Sequence, residues 1–177
     1  MKAIAMFVVA FIAMYIDMSF ANFSPVHMFG LDVYFVPRVL LIFVLLVSIY
    51  ISQRMGIFIA GVSGLMLDIY IGSIYGIHTF GLIASVVFMH AAFRVFYKDF
   101  IALAFVVLVL SFLYDLYVYV IYRVLAITTM PVFDYLALRA TPSLLINAIF
   151  FTGIFFIVLR LSKLKEGLQV SDKNPSN

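Results

Sequence analysis

Residues 100–122 read FIALAFVVLVLSFLYDLYVYVIY, an apolar run interrupted by one charge, Asp115. A hydrocarbon core about 30 Å thick takes roughly 20 residues of helix to cross, so this run is long enough to span on its own. It lacks the strict polar–apolar alternation of a barrel strand. Working outward, five further segments have the same character: 3–20, 39–51, 55–71, 73–93 and 140–159. The expected fold is all-α: a polytopic membrane protein with six transmembrane helices. These form a single domain over residues 1–165. A short polar cytoplasmic tail, 166–177, is expected to be disordered.

Composition points the same way. The 177 residues are 67% hydrophobic and 11% charged, with a mean hydropathy of +1.23, whereas a soluble domain is about half apolar and about a quarter charged. A soluble body of this size could not hide so much apolar surface. A soluble enzyme, a nucleic-acid-binding domain and a disordered regulator are therefore excluded. With no cysteine, disulfides, thiolate metal sites and cysteine nucleophiles are excluded as well. With no tryptophan either, an aromatic belt must come from tyrosine and phenylalanine.

Lysine and arginine set the orientation. With the N-terminus inside, Lys2, Arg54, Arg94, Lys98, Arg160, Lys163, Lys165 and Lys173 fall on the cytoplasmic side, against Arg38, Arg123 and Arg139 outside. Both termini are expected in the cytoplasm. Arg38 and Arg54 bound the second and shortest helix, where their stems can snorkel to the two interfaces. Ser19-Phe20-Ala21 has the small-x-small pattern of a signal-peptide cleavage site, but with Asp17 just before it the first helix is read as a retained anchor. The two long outer connections, 22–37 and 123–138, are loops by position yet mostly apolar, which suits either the headgroup region or a docked partner.

Ionisable groups in lipid are costly and draw attention to themselves. At 1.5 Å per residue, Asp17, Asp68 and Asp115 come to lie in the outer third of helices one, three and five. Arg38, His78, Arg123 and Arg139 begin or end helices at the same level. The reading is an outer-leaflet polar cluster of Asp17, Arg38, Asp68, Asp115, Arg139 and Asn147, in which aspartates pair with arginines and fix helix packing. His90 reads as a packing residue near the end of helix four, and the three histidines lack metal-ligand spacing. Gly56, Ala60, Gly64 and Asp68 recur every four residues, so the first three form a small-residue stripe on helix three that lets another helix approach closely. Gly72, Ser73 and Gly76 read as the turn into helix four. No catalytic constellation, cofactor site or phosphate-binding glycine loop emerges.

In several pieces the chain resembles the rod shape-determining protein MreD family, in its Gram-positive form. The pieces are Pro37-Arg38 before an apolar run, Gly61-Val62-Ser63-Gly64-Leu65-Met66-Leu67-Asp68, the turn from Gly72 to Gly81, and Arg139, Pro142 and Asn147 at the start of helix six. Asp115 stands where relatives commonly have Glu. The resemblance implies a non-enzymatic membrane subunit of the elongation machinery that guides lateral peptidoglycan synthesis. The partners it implies are the bitopic protein MreC, the actin-like MreB, and the RodA glycosyltransferase with its transpeptidase. The glycine-rich helix three ending in Asp68 is also similar to the substrate-binding subunits of energy-coupling-factor vitamin transporters, which likewise have six helices. That alternative lacks their Ala-x-x-x-Ala motif in helix one. An orphan membrane assembly factor is a third reading.

Overall fold

The computed structural model describes residues 2–28, 30–71, 74–93 and 100–172. Six long helices occupy the six apolar segments: α1 (Lys2–Phe23), α2 (Val39–Tyr50), α3 (Gln53–Tyr70), α4 (Ile77–Phe93), α5 (Phe100–Val124) and, after the four-residue helix α6 (Val132–Tyr135), α7 (Thr141–Asp172). Among the described residues, three stretches are long and apolar enough to cross a membrane: Ile4–Phe23, Phe100–Val124 and Val132–Leu161. The apolar helices Val39–Tyr50 and Ile77–Ala92 are shorter. Among the basic side chains expected to orient the chain, Arg94, Lys98 and Lys173 lie outside the described residues, as do Gly72 and Ser73 of the α3–α4 turn. Helix α7 runs on through residues 166–172 of the segment expected as a tail, where Glu166, Leu168 and Gln169 favour helix.

The shortest of the six long helices sits at the centre. Every residue of α2 from Val39 to Ser48 is buried, and α1, α3, α4, α5 and α7 all pack against it. Its sequence, VLLIFVLLVSIY, is apolar on every face, which is the pattern of a helix enclosed by protein. At 1.5 Å per residue its 12 residues extend only about 18 Å, so its ends lie inside the bundle. Around it, α3 and α4 form the most extensive helix pair. A Cβ on Gly64 would stand 2.5 Å from the Thr79 Cα of α4, and one on Gly56 would stand 2.7 Å from the Ser48 Cβ of α2. Ala60, between them, is fully buried.

Two connections depart from the loops expected. Between α1 and α2, strands β1 (Val26–Met28) and β2 (Leu31–Val33) form an antiparallel hairpin with Val26 opposite Val33 and Met28 opposite Leu31. Gly30, at φ +77°, takes the left-handed conformation the turn needs at little steric cost. Before α7, the chain is helical from Val132, through α6 and a π-helical turn, Leu136–Ala140. Pro142 accounts for that turn. In a regular helix the residue at 142 would donate to the carbonyl of Leu138, but proline has no N–H and its ring clashes with that carbonyl. The turn widens instead, and the Thr141 N–H reaches back five residues to the Leu136 carbonyl.

Candidate functional site

The α2 helix begins within the bundle, so its free N–H groups need partners that water cannot supply. The chain enters α2 through an extended segment, residues 34–38, whose N–H groups alternate in direction. Those of Tyr34, Val36 and Arg38 all point at α7 or the π-helical turn that leads into it. Tyr34 donates to the Leu138 carbonyl at 2.8 Å, the acceptor that Pro142 leaves free. Val36 donates to Ser143 Oγ at 3.1 Å. Arg38 donates to Asn147 Oδ1 at 2.8 Å. On the opposite edge, Phe35 N–H donates to Ser24 Oγ, which in turn donates to the Phe35 carbonyl. The first two N–H groups of α2 itself, Val39 and Leu40, donate to the two carboxylate oxygens of Asp17 at 2.7 and 3.1 Å. Four side chains and one carbonyl thus seat all six residues from Tyr34 to Leu40 that have an N–H to give, Pro37 apart.

The Arg38 side chain turns inward from this collar. Its Nε and Nη2 both lie 2.6 Å from Asp115 Oδ1 on α5, and its guanidinium sits 5.1 Å from the centre of the Tyr114 ring. The Arg38 and Asp115 side chains are only 13% and 7% exposed. An arginine expected to snorkel to the membrane surface is instead drawn into the protein, because a carboxylate and an aromatic face await it there.

Asp68 does a separate job. Its carboxylate accepts from the N–H groups of Gly76, His78 and Thr79 at 2.8–3.1 Å and from the Thr79 hydroxyl at 2.6 Å. It is therefore the cap of α4, placed across the α3–α4 turn, and a negative charge at a helix N-terminus is favoured by the helix dipole as well. Gly76, at φ +96°, bends the chain so that these groups converge. The link between the two sites is His78, whose Nδ1 is hydrogen-bonded to the Tyr114 hydroxyl at 2.8 Å.

The six residues expected as one cluster therefore divide. Asp17, Arg38, Asp115 and Asn147 meet at the start of α2, and Asp68 caps α4 nearby. Arg139 is half-buried in the π-helical turn and makes no ion pair among the described residues. The general pairing of aspartates with arginines holds for Asp115 alone. A helix N-terminus offers free N–H groups, so Asp17 and Asp68 are satisfied by backbone and need no cation. His90 is exposed rather than packed, since it lies in the last turn of α4. Sequence reasoning passed over Ser24, Ser143, Tyr114 and Thr79. The spacing of Ser143 and Asn147, four residues apart on one face of α7, was the available signal. Among the described residues, no group of three or more His, Asp or Glu side chains is placed to hold a metal ion.

The segments that build this arrangement are Pro37-Arg38, the end of α3 at Asp68, Asp115, and the stretch from Arg139 to Asn147. A family model for the rod shape-determining protein MreD matches residues 1–165. The chain belongs to the MreD family. No curated protein and no solved structure matches it. Membership makes it a rod shape-determining membrane protein. In this MreD-family chain the charged and amide side chains inside the apolar bundle are engaged in seating helix ends, work that fixes shape.

Proposed function

We propose that this MreD-family chain is a non-enzymatic scaffold of the cell-elongation complex. It crosses the cytoplasmic membrane six times as one domain, residues 1–165, with both termini in the cytoplasm. It binds an MreC-like bitopic protein and, in a complex with the actin-like MreB and the RodA glycosyltransferase with its transpeptidase, helps organise lateral peptidoglycan synthesis. The observation that carries this reading is the use made of the buried polar groups. Asp17, Arg38, Asp68, Asp115, Ser143 and Asn147 are each bonded to a helix end, an entering segment or one another. Such a bundle holds a fixed surface for partners. The Gly56, Ala60, Gly64 stripe faces α2 and α4 of the same chain, which leaves the outer connections for partner binding.

Of these, the hairpin 26–33 is the proposed contact. It carries exposed apolar side chains, Val26 and Leu31, beside the exposed contact of the His27 ring with the Asp32 carboxylate. Leu31→Asp should leave membrane insertion and thermal stability in detergent unchanged, because Leu31 is more than half exposed. It should abolish co-purification of the MreC-like protein and round the cells. Unchanged co-purification and a normal rod shape would remove the hairpin as the contact.

A further inference from the structure

The two outer connections differ in a way that assigns them different surroundings. The first, the hairpin, displays the polar pair His27 and Asp32, one of them a carboxylate. The second runs from Val124 to Phe133 without a single charge, bracketed by Arg123 and Asp134. Its apolar side chains point outward: Val124 is 78% and Phe133 80% exposed, with Leu125, Ile127 and Val132 also exposed.

Two observations say what covers it. The first is continuity. The outward face of α5, through Phe105, Leu113, Val120 and the last residue of that apolar stretch, Val124, leads directly into Leu125 and Ile127, while Val132 and Phe133 open the next apolar stretch and its outward Leu136, Leu145 and Ile149. The connection thus extends two lipid-facing surfaces without a polar break. The second is the state of its backbone. Embedding at the edge of the hydrocarbon costs less where backbone polar groups are paired internally, as several are in the cap after α5 and around Met130 and Pro131. Leu125 N–H donates to Ile121, Ala126 to Arg123, and both Ile127 and Thr128 to the Tyr122 carbonyl, at 2.9–3.2 Å. Ala126 adopts φ +56° to close this cap. The Met130 carbonyl accepts from the Tyr119 hydroxyl at 2.8 Å and from Arg123 Nη1 at 3.3 Å. Pro131 has no N–H, and its carbonyl accepts from Tyr135 at 2.9 Å.

We infer that residues 124–133 are a membrane-interface wedge, with Val124, Leu125, Ile127, Val132 and Phe133 embedded among the lipid acyl chains at the headgroup boundary. The partner of this face is the bilayer itself, and the hairpin alone of the two connections stands in water. Neither statement depends on which side of the membrane the connections occupy or on the identity of a protein partner.

The absence of tryptophan allows a direct test. The full chain carrying Phe133→Trp as its one tryptophan is reconstituted into phosphatidylcholine vesicles with brominated acyl chains, and Leu31→Trp on the hairpin serves as the comparison. The expected result is blue-shifted emission from the Phe133→Trp protein, with loss of most of its intensity in brominated vesicles and little quenching by aqueous iodide. The Leu31→Trp protein should behave in the reverse way. Emission from the Phe133→Trp protein as red as that of the hairpin probe, quenched by iodide and untouched by bromine, would overturn the inference and leave this face open for a protein partner. Val124→Trp gives the same readout should the Phe133 variant not fold.

Discussion

Asp17, Asp68 and Asp115 look alike in the sequence, each a lone carboxylate in an apolar helix, yet each has a different partner. Asp17 holds the first two N–H groups of α2, Asp68 holds the start of α4, and Asp115 neutralises Arg38. Their positions along the helices were legible, because 1.5 Å per residue locates any residue on a helix axis. Their partners were not, since backbone N–H groups are invisible in a pattern of side chains. The buried Arg38–Asp115 pair gives the clearest test. Asp115→Ala should cost about 3–5 kcal/mol, because it leaves the guanidinium buried and uncompensated. Arg38→Met combined with Asp115→Leu should recover most of that loss, as apolar replacements of a buried pair often do. Thermal unfolding of the single and double variants in detergent would check it, and a double variant no more stable than Asp115→Ala would contradict the pairing.

At the scale of elements, the six helices were readable because each is a long apolar run, most of them bounded by charge or glycine. The place of α2 was less plain. Its all-round apolar sequence signals enclosure, but a short apolar run between two arginines reads equally well as a short span. The hairpin and the π-helical turn were missed for a common reason: both arise from contacts between distant segments. Pro142 widens the start of α7, and the freed Leu138 carbonyl takes the Tyr34 N–H from the chain leaving the hairpin. Pro142→Ala should restore a donor to Leu138, convert the turn to regular helix and release Tyr34. Amide hydrogen exchange would then show faster exchange at Tyr34, while Val39 and Leu40, held by Asp17, keep their protection. Unchanged exchange at Tyr34 would mean that proline does not set this turn.

For the whole molecule, a central apolar helix is fixed at its entry by α1, α5 and α7, and five helices enclose it. Asp17, Arg38, Asp115, Ser143 and Asn147 all contribute to this seating, and the proposed partner contact lies at the periphery. The eight-to-three division of lysine and arginine predicts an orientation, with both termini in the cytoplasm. In this cysteine-free chain, a single cysteine at His27 should react with an impermeant maleimide added to intact cells, and one at Gln53 should react only after lysis. The opposite pattern would invert the topology. The central claim, that this membrane scaffold determines cell shape through its partners, is tested most directly by microscopy of rod-shaped host cells depleted of the protein. The expected result is loss of rod shape, with rounded cells that regain their form when the wild-type gene is restored; cells that stay rods after depletion, and instead require a vitamin in the medium, would contradict it.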